Sequence, residues 1–396
     1  MRLAFLTIED SRNPLSWSGI PYYIARSLER RGSDIDHLGP MPLWPLKILR
    51  ARARLESQIL ARHTLPGTIQ IYSQLCNKVA NRRLMEMDPR PDVIFSPVGS
   101  VPLAHFETGL PVVYLSDATL RLMIGYYPNF SNLAADAVKS ADRLEQRAIM
   151  RADLLVYPTQ WAADSAIRDY GADPAKIAVI PFGANLTDEP PARADYAPVD
   201  DVCRLLFVGV NWSIKGGAIA VETLRALQAL GVKAELTVIG CRPPEPLEMP
   251  GLTFTGFLDK NRAQDRQRLD EFYRTANFFI LPTRNECFGI VFCEAAAYGL
   301  PALASRTGGV PEVIAEGKSG FTVPLAEGGA AYAARVAEIW ADGDRYAALR
   351  RSSRTEFETR LNWDVWAERF SGALETRGIA SRPARERMVS RRAVIS

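Results

Sequence analysis

Residues 281–299 read LPTRNECFGIVFCEAAAYG. The apolar run that ends at Leu281 predicts a short buried strand, and the small and apolar residues of 288–298 predict a helix. Strand, turn and helix together form one repeat of an α/β sheet. Two glutamates lie within this repeat, Glu286 in the turn and Glu294 inside the helix.

The spacing of these two glutamates indicates a ligand class. Eight helical steps separate Glu286 and Glu294 by roughly 12 Å along the axis, which is about the distance from the sugar ring of a nucleotide-sugar to its ribose. The backbone N–H groups of residues 287–290 lie between them at the start of the predicted helix, where an anion such as a diphosphate is favoured. Gly289 allows that ligand to approach the backbone closely.

The stretch resembles the E-x7-E signature of retaining GT-B glycosyltransferases of family 4, also called glycosyl transferases group 1. The glycine-rich sequel at 308–321 matches the pattern of the same family. The alternative is an alanine-rich core helix with two solvated glutamates. The resemblance implies two Rossmann-like parallel-sheet α/β domains that face a central cleft, with a C-terminal helix that crosses back to the first domain.

The resemblance also implies roles for individual side chains. Glu294 is expected to bind the ribose hydroxyls, Glu286 the transferred sugar, and Lys215 the leaving diphosphate. The implied catalytic residues are Glu286 and Asp117. The implied donor-binding residues are Gly19, Asn211, Lys215, Glu286, Cys287, Phe288, Gly289, Ile290 and Glu294.

The chain departs from the family pattern at two positions. Val210 stands where an arginine commonly contacts the diphosphate, although Lys215 is in register. Ser116 stands where a histidine is often found near the reacting sugar, although the neighbouring Asp117 is kept. Alternatively, Lys215 is a solvated loop lysine and Gly19 a simple turn glycine. The G-x-G-x-x-G fingerprint of nicotinamide and flavin sites is absent.

The length of 396 residues favours two domains. The second half repeats the alternation of strands and helices after a stretch rich in proline and polar residues. The predicted organisation is an acceptor-side domain over 1–183, a linker over 184–203, a donor-binding domain over 204–360, a returning helix over 361–375 and a basic tail over 376–396.

The composition predicts a globular protein of a reducing compartment. The chain is 47% hydrophobic and 23% charged, as globular proteins are, and we expect neither a membrane span nor a signal peptide. Its five cysteines are scattered, without the spacing of a zinc site or a disulfide framework. We therefore expect a cytoplasmic protein. No metal and no cofactor are expected, because no Asp-x-Asp cluster flanks the site.

The basic residues are unevenly placed. A predicted amphipathic helix over 46–63 carries one lysine and four arginines (Lys47, Arg50, Arg52, Arg54 and Arg62). It would suit the anionic inner face of a cytoplasmic membrane, or else it is an ordinary solvated helix. The tail after Thr376 has six arginines against one glutamate, so the rest of the chain is slightly acidic and is not typical of a nucleic-acid-binding protein.

Together these features predict transfer of a hexosyl group from a UDP-, GDP- or ADP-sugar to an acceptor hydroxyl, with retention of configuration. A saccharide or lipid-linked acceptor, in bacterial cell-envelope polysaccharide or glycolipid synthesis, is expected. The alternatives are an inert GT-B scaffold that binds saccharide or a partner enzyme, and a GT-B nucleotide-sugar epimerase or phosphorylase.

Overall fold

The computed structural model describes residues 1–60, 64–65 and 68–379. The chain forms two compact units. Unit 1 comprises Met1–Pro181 and the chain from Trp366 onward, and unit 2 comprises Phe182–Val365. Each unit contains a six-stranded sheet in which every pairing is parallel. The prediction of two Rossmann-like α/β domains is confirmed. The predicted basic tail lies outside the described residues from position 380 onward.

In the sheet of unit 1 the chain adds strands first on one side of the first strand and then, after a reversal, on the other. Its strands are β1 (Arg2–Phe5), β2 (Asp34–His37), β3 (Val93–Pro97), β4 (Val112–Leu115), β5 (Leu154–Tyr157) and β6 (Ile177–Val179). Their order is β2-β1-β3-β4-β5-β6. Because β2 and β3 lie on opposite sides of β1, a crevice opens outside the carboxyl ends of β1 and β3, where open α/β sheets bind ligands.

Helices cover both faces of this sheet. They are α1 (Ile20–Arg30), α2 (Trp44–Leu60), α3 (Gln70–Met85), α4 (Ser100–Leu103), α5 (Leu120–Met123), α6 (Ala135–Arg151) and α7 (Gln160–Tyr170). The strands β3, β4 and β5 are buried along their whole length, as expected for a parallel sheet covered on both faces. Of the described helices, none is both long and apolar enough to cross a bilayer.

The end of the described chain packs within unit 1. The aromatic rings of Trp366 and Phe370 stack with their centroids 4.8 Å apart, and Phe370 lies 5.3 Å from the ring of Phe95 on β3. The guanidinium of Arg377 donates to the carbonyl oxygen of Ile177 at 2.9 Å. The side chains of Trp366 and Phe370 are therefore part of the core of unit 1.

The sheet of unit 2 has the same kind of reversal. Its strands are β7 (Cys203–Val208), β8 (Ala234–Ile239), β9 (Leu252–Gly256), β10 (Phe278–Leu281), β11 (Ala302–Arg306) and β12 (Gly320–Pro324), in the order β12-β11-β10-β7-β8-β9. The carboxyl ends of β7 and β10 flank its reversal point. Since both strands end in the loops that carry the predicted donor site, the topology supports that assignment.

The remaining helices flank this second sheet. They are α8 (Trp212–Lys215), α9 (Gly217–Ala229), α10 (Ala263–Thr275), α11 (Ile290–Ala297), α12 (Val310–Val313), α13 (Gly329–Trp340) and α14 (Gly343–Thr359), and α15 (Trp363–Thr376) leads into unit 1. The apolar content of α11 is high all round, so this helix is almost completely buried.

The stretch 184–203, predicted as a linker, is held against unit 2. The ring of Tyr196 is 4% exposed, and the guanidinium of Arg350 lies 5.4 Å from its centroid. The guanidinium of Arg354 donates to the carbonyl oxygen of Pro190 at 2.8 Å. Proline-rich composition therefore marks a connection between sheets here, but aromatic and arginine contacts fix it in place.

Unit 1 buries a carboxyl group without a basic partner in the described contacts. Glu145 of α6 is 6% exposed, and the hydroxyl of Tyr114 donates to its Oε1 at 3.0 Å. Burial raises the pKa of Glu145 from 4.5 to about 7, the hydrogen bond from Tyr114 opposes this change, and the nearby Asp142 and Asp117 add to it. The hydroxyl of Tyr157, also buried, makes no hydrogen bond to another described residue.

This carboxyl group predicts a pH-dependent stability. A folded-state pKa above the unfolded value means that the native state binds the extra proton, so the free energy of unfolding should fall as the pH rises from 4.5 to 7. The total loss for Glu145 is about 3 kcal/mol. Glu145→Gln keeps an acceptor for Tyr114 and removes the charge. The variant should therefore lose this contribution to the slope of the free energy of unfolding against pH, measured by urea unfolding followed by circular dichroism.

The matched control is Glu86→Gln, which changes a carboxylate that is 61% exposed and pairs with Arg82 on the surface of unit 1. It should leave the slope between pH 4.5 and 7 unchanged. A slope for Glu145→Gln equal to that of the native chain would show that the buried carboxyl does not titrate in this range.

Candidate active site

Two loops meet at the reversal point of the second sheet. The loop after β7 contains Asn211, whose Oδ1 accepts a hydrogen bond from the N–H of Ile214 at 2.8 Å and so caps the short helix α8. The loop after β10 comprises 282–289. Its Thr283 hydroxyl and its Arg284 N–H both donate to the carbonyl oxygen of Ile214, at 3.1 and 2.7 Å. Because both groups donate to the same carbonyl oxygen, these hydrogen bonds hold the two loops together.

Gly216 makes this contact possible. Its φ of +75° belongs to the left-handed region, and a Cβ at this position would lie 1.9 Å from the carbonyl oxygen of Pro282. Only glycine combines that backbone conformation with that approach. The residue before it, Lys215, is thereby held over the second loop.

Lys215 and Glu286 form the centre of the site. The Nζ of Lys215 donates to Oε2 of Glu286 at 2.5 Å, and the two side chains are 21% and 12% exposed. Both predicted residues therefore lie together, half-buried, at the carboxyl ends of the central strands. Such a pair presents an ammonium for an anion and a carboxylate for hydroxyl groups on one surface.

The helix after the second loop starts later than predicted. Gly289, with φ of +91°, caps α11, which begins at Ile290 rather than at Phe288. Phe288 is buried and packs against Phe182 with ring centroids 5.0 Å apart, and Cys287 is buried as well. The prediction of 288–298 as helix is wrong at this end, because Gly289 breaks the helical conformation. The N–H groups that point outward from the first turn begin at Ile290.

Glu294 is fully engaged in this structure. It is 1% exposed, its Oε1 accepts a hydrogen bond from Nζ of Lys260 at 2.5 Å, and its Oε2 accepts one from the hydroxyl of Tyr273 at 3.2 Å. Sequence reasoning missed both partners. Lys260 follows β9 by four residues, so its position after a parallel strand was the available signal; Tyr273 on α10 had none.

The other predicted residues lie in unit 1. Gly19 caps the start of α1 with φ of +85°. Asp117 follows β4, and the hydroxyl of Ser116 donates to the carbonyl oxygen of Ala118 at 2.7 Å. The serine that replaces the expected histidine therefore closes the turn that carries Asp117.

The described histidines serve structural contacts. Nδ1 of His37 lies 2.7 Å from the hydroxyl of Ser11, and Nδ1 of His105 lies 2.8 Å from that of Ser73. Burial lowers the pKa of both, and for His105 the neighbouring Arg147 lowers it further. His63 lies outside the described residues. Within the described ranges, no three His, Cys, Asp or Glu side chains cluster as a metal site would require.

Two family models match this chain. Residues 203–342 match the model described as glycosyl transferases group 1, and residues 21–183 match the glycosyl transferase 4-like domain. Together they cover more than half of the chain. The first spans every strand of the second sheet, and the other spans β2 to β6 of the first sheet.

Individual proteins agree with the models. A D-inositol 3-phosphate glycosyltransferase of Xylanimonas cellulosilytica is 32% identical over 243 residues, which are 56% of this chain and 56% of that protein. The sucrose-phosphate synthase of Thermosynechococcus elongatus aligns with 96% of this chain and 100% of that one, at a TM-score of 0.67 and 17% identity. Anabaena Alr3699/HepE in complex with UDP aligns over 95% and 100%, at a TM-score of 0.63 and 17% identity.

Because Gly216 contacts Pro282 so closely, the methyl group added by Gly216→Ala should strongly lower the free energy of unfolding. Gly231→Ala, in the same unit, has a similar φ of +80° and open space around the new Cβ, so it should cost only the left-handed strain, about 1 kcal/mol. Gly216→Ala adds overlap with the backbone and should lower the free energy of unfolding by about 1–3 kcal/mol more. Urea unfolding of the two variants measures the difference. Equal losses would mean that the loops can separate without cost.

Proposed function

Since the chain belongs to the group 1 glycosyl transferases, we propose that it transfers a hexosyl group from a nucleotide-sugar to an acceptor hydroxyl with retention of anomeric configuration. The observation that carries this proposal is the Lys215–Glu286 pair at the reversal point of the second sheet. A nucleotide-sugar offers an anion for the first group and sugar hydroxyls for the second.

The donor is proposed to lie along the loop and helix that follow β10. Its diphosphate is bound by Lys215 and by the N–H groups at the start of α11, beginning at Ile290, where the helix dipole favours negative charge. The sugar ring takes the Glu286 carboxylate as a hydrogen-bond acceptor. Gly289 is required at this turn, because any Cβ there would meet the ring of Phe292 at 2.5 Å.

Glu294 is proposed to bind the ribose. Its carboxylate is buried and already accepts two hydrogen bonds, from Lys260 and Tyr273. Ribose hydroxyls can take the place of the Lys260 ammonium at Oε1, since the lysine side chain is 38% exposed and can move toward solvent. The released ammonium then supplies a cation near the nucleotide, in a chain that has Val210 in place of the usual arginine.

The proposed reaction breaks the bond between the anomeric carbon and the diphosphate oxygen and forms a bond from the same carbon to the acceptor oxygen, on the same face of the sugar. The acceptor proton passes to the leaving phosphate. Lys215 stabilises the charge that develops on that phosphate, and Asp117 of unit 1 is proposed to bind the acceptor or the donor sugar. We propose no metal, because Lys215 and the N–H groups of the helix start can neutralise the diphosphate. The anomeric configuration of the product, read by proton NMR, tests retention.

Two other functions fit the same fold. An inert scaffold would bind saccharide or a partner enzyme without turnover, and an epimerase or phosphorylase would release no glycosylated acceptor. The missing arginine and histidine favour the scaffold over the epimerase and the phosphorylase. Release of free nucleoside diphosphate that depends on an acceptor would separate the transferase from all of these.

Substitution of the proposed ribose ligand tests the donor site. Calorimetric titration with UDP-, GDP- and ADP-sugars should find one preferred nucleotide. Glu294→Gln should weaken its binding at least tenfold, because a neutral amide accepts hydrogen bonds from the ribose more weakly than a carboxylate and offers a single acceptor oxygen to the ribose and Tyr273 together. Glu235→Gln is the matched control, since that glutamate is 54% exposed on β8 of the same unit, and it should bind as the native chain does. Equal affinity for both variants would remove Glu294 from the site.

We also propose that α2 holds the protein at an anionic membrane surface, where glycolipid or envelope polysaccharide acceptors are made. The side chains of Trp44, Ile48 and Leu55 are 65%, 60% and 60% exposed, and Lys47 and Arg54 are exposed as well. Aromatic, aliphatic and basic side chains together are typical of helices that lie in a membrane interface. Arg62, included in the predicted helix 46–63, lies outside the described residues.

Vesicle sedimentation tests this contact. The native chain should bind vesicles containing phosphatidylglycerol and should release them as salt rises, since the basic residues contribute by charge. Trp44→Ser with Ile48→Ser should lose most of the binding. The control is Ile71→Ser with Met85→Ser, two exposed apolar residues of α3 in the same unit. Equal losses in both pairs would assign the binding to general surface hydrophobicity.

A further inference from the structure

A cavity of about 450 Å³ lies in unit 1, within the size range of ligand pockets. Thr7, Ile8 and Glu9, which follow β1, form one side, and Pro97 and Val98, at the end of β3, form another. These strands flank the reversal point of the first sheet. The cavity therefore occupies the position in unit 1 that the Lys215–Glu286 pair occupies in unit 2.

The wall of the cavity is largely apolar. Ile8, Trp17, Leu46, Leu65, Leu120 and Phe130 contribute to it. Of the four hydroxyl groups that described residues contribute to the wall, those of Thr7, Ser11 and Thr68 are already engaged with the protein, and Ser16 supplies the fourth.

The hydroxyl of Thr7 donates to the carbonyl oxygen of Glu9 at 2.7 Å, and that of Thr68 to Leu65 at 2.7 Å. The hydroxyl of Ser11 contacts His37. A ligand with many hydroxyl groups would lose its hydrogen bonds to water here and regain only a part of them.

Strained backbone surrounds this cavity. Trp17 has φ of +44° and Val98 has φ of +50°. Residues other than glycine seldom adopt a positive φ, and a β-branched residue such as valine does so very rarely. The N–H of Val98 is held by the carbonyl oxygen of Leu115 at 2.7 Å. Conformations of this kind cost about 1–3 kcal/mol each and cluster where a fold shapes a ligand site.

Among the described residues of the wall, only Glu9 and Arg50 are charged, and both are exposed. The cavity therefore combines an apolar interior with a polar rim. Helix α2 contributes Leu46 to the interior and Arg50 to the rim, while its Trp44 and Ile48 remain exposed. One helix thus links the cavity to the surface that we assign to the membrane.

We propose that this cavity binds an amphiphilic acceptor: its apolar part packs against Trp17, Leu46 and Leu120, and its hydroxyl-bearing head lies at the rim beside Glu9 and Arg50. This inference rests on the proposed transferase function. It assigns an acceptor unlike the small polyol phosphate in the name of the Xylanimonas relative, whose ligand would need polar partners on most sides. The continuity with α2 favours a lipid chain over an aromatic ring as the apolar part.

Titration with matched glucosides tests the acceptor class. Methyl, phenyl and n-octyl β-D-glucopyranoside share one head and differ in the apolar part, and inositol 3-phosphate serves as the polar ligand. The octyl compound, kept below its micelle concentration, should bind the full chain at least tenfold more tightly than the methyl compound. Tightest binding of the phenyl compound would assign the cavity to an aromatic acceptor and overturn the lipid assignment. Equal affinities, or a preference for inositol 3-phosphate, would overturn the proposal.

Substitutions in the wall locate the binding. Leu120→Arg and Leu65→Arg each place a charge at a half-buried position that water can still reach, and either should abolish the octyl preference. Leu230→Arg makes the same change at a leucine of unit 2 that is 60% exposed and should preserve it. Circular dichroism and nucleotide-sugar binding establish that each variant is folded. An octyl preference that survives both wall variants would place the binding elsewhere and overturn the proposal.

The donor titration separates this inference from the proposed function. Nucleotide binding that depends on Glu294, without an octyl preference, would overturn the acceptor assignment alone. An octyl preference that the wall variants abolish, in a chain that neither binds nor turns over any nucleotide-sugar, would support an amphiphile site and overturn the transferase.

Discussion

The candidate site depends on one steric constraint, the approach of Gly216 to the carbonyl oxygen of Pro282. Because no side chain separates the two loops, the carbonyl oxygen of Ile214 can accept hydrogen bonds from both Thr283 and Arg284. These contacts bring Lys215 against Glu286, which converts two loops of different strands into one charged surface. The parallel sheet places the two loops side by side, and the absence of a Cβ at Gly216 allows them to approach this closely.

Much of this arrangement could be predicted from the sequence. The alternation of apolar runs and helices fixes two parallel sheets, and the glutamates eight residues apart, with Lys215 before a glycine, identify residues that the structure does place at the second reversal point. Local patterns carry this information because strand, loop and helix follow each other directly along the chain. The start of α11 was predicted two residues too early, since Gly289 with a positive φ looks the same in sequence as a helical glycine.

What the sequence could not give is the set of contacts between distant segments. Lys260 and Tyr273 reach Glu294 from 34 and 21 residues away, and neither forms a motif with it. The cavity of unit 1 is similarly assembled from the ends of β1 and β3 and from α2. Its apolar character depends on where Thr7, Ser11 and Thr68 direct their hydroxyls, and hydrogen-bond partners of this kind appear only in three dimensions.

The described residues that line the cavity all belong to unit 1, and Lys215 and Glu286 both belong to unit 2. Substitutions at distant sites that share no partner have additive energetic effects, so we expect changes in the cavity wall to leave the Lys215–Glu286 pair intact. Exchange of unit 1 needs a second junction near Trp366 besides the one near Pro181, because Phe370 packs against Phe95 of β3. We expect such an exchange to change one proposed specificity while preserving the other. A lineage built in this way can acquire new products by reshuffling two inherited halves, without inventing a new catalyst for each one.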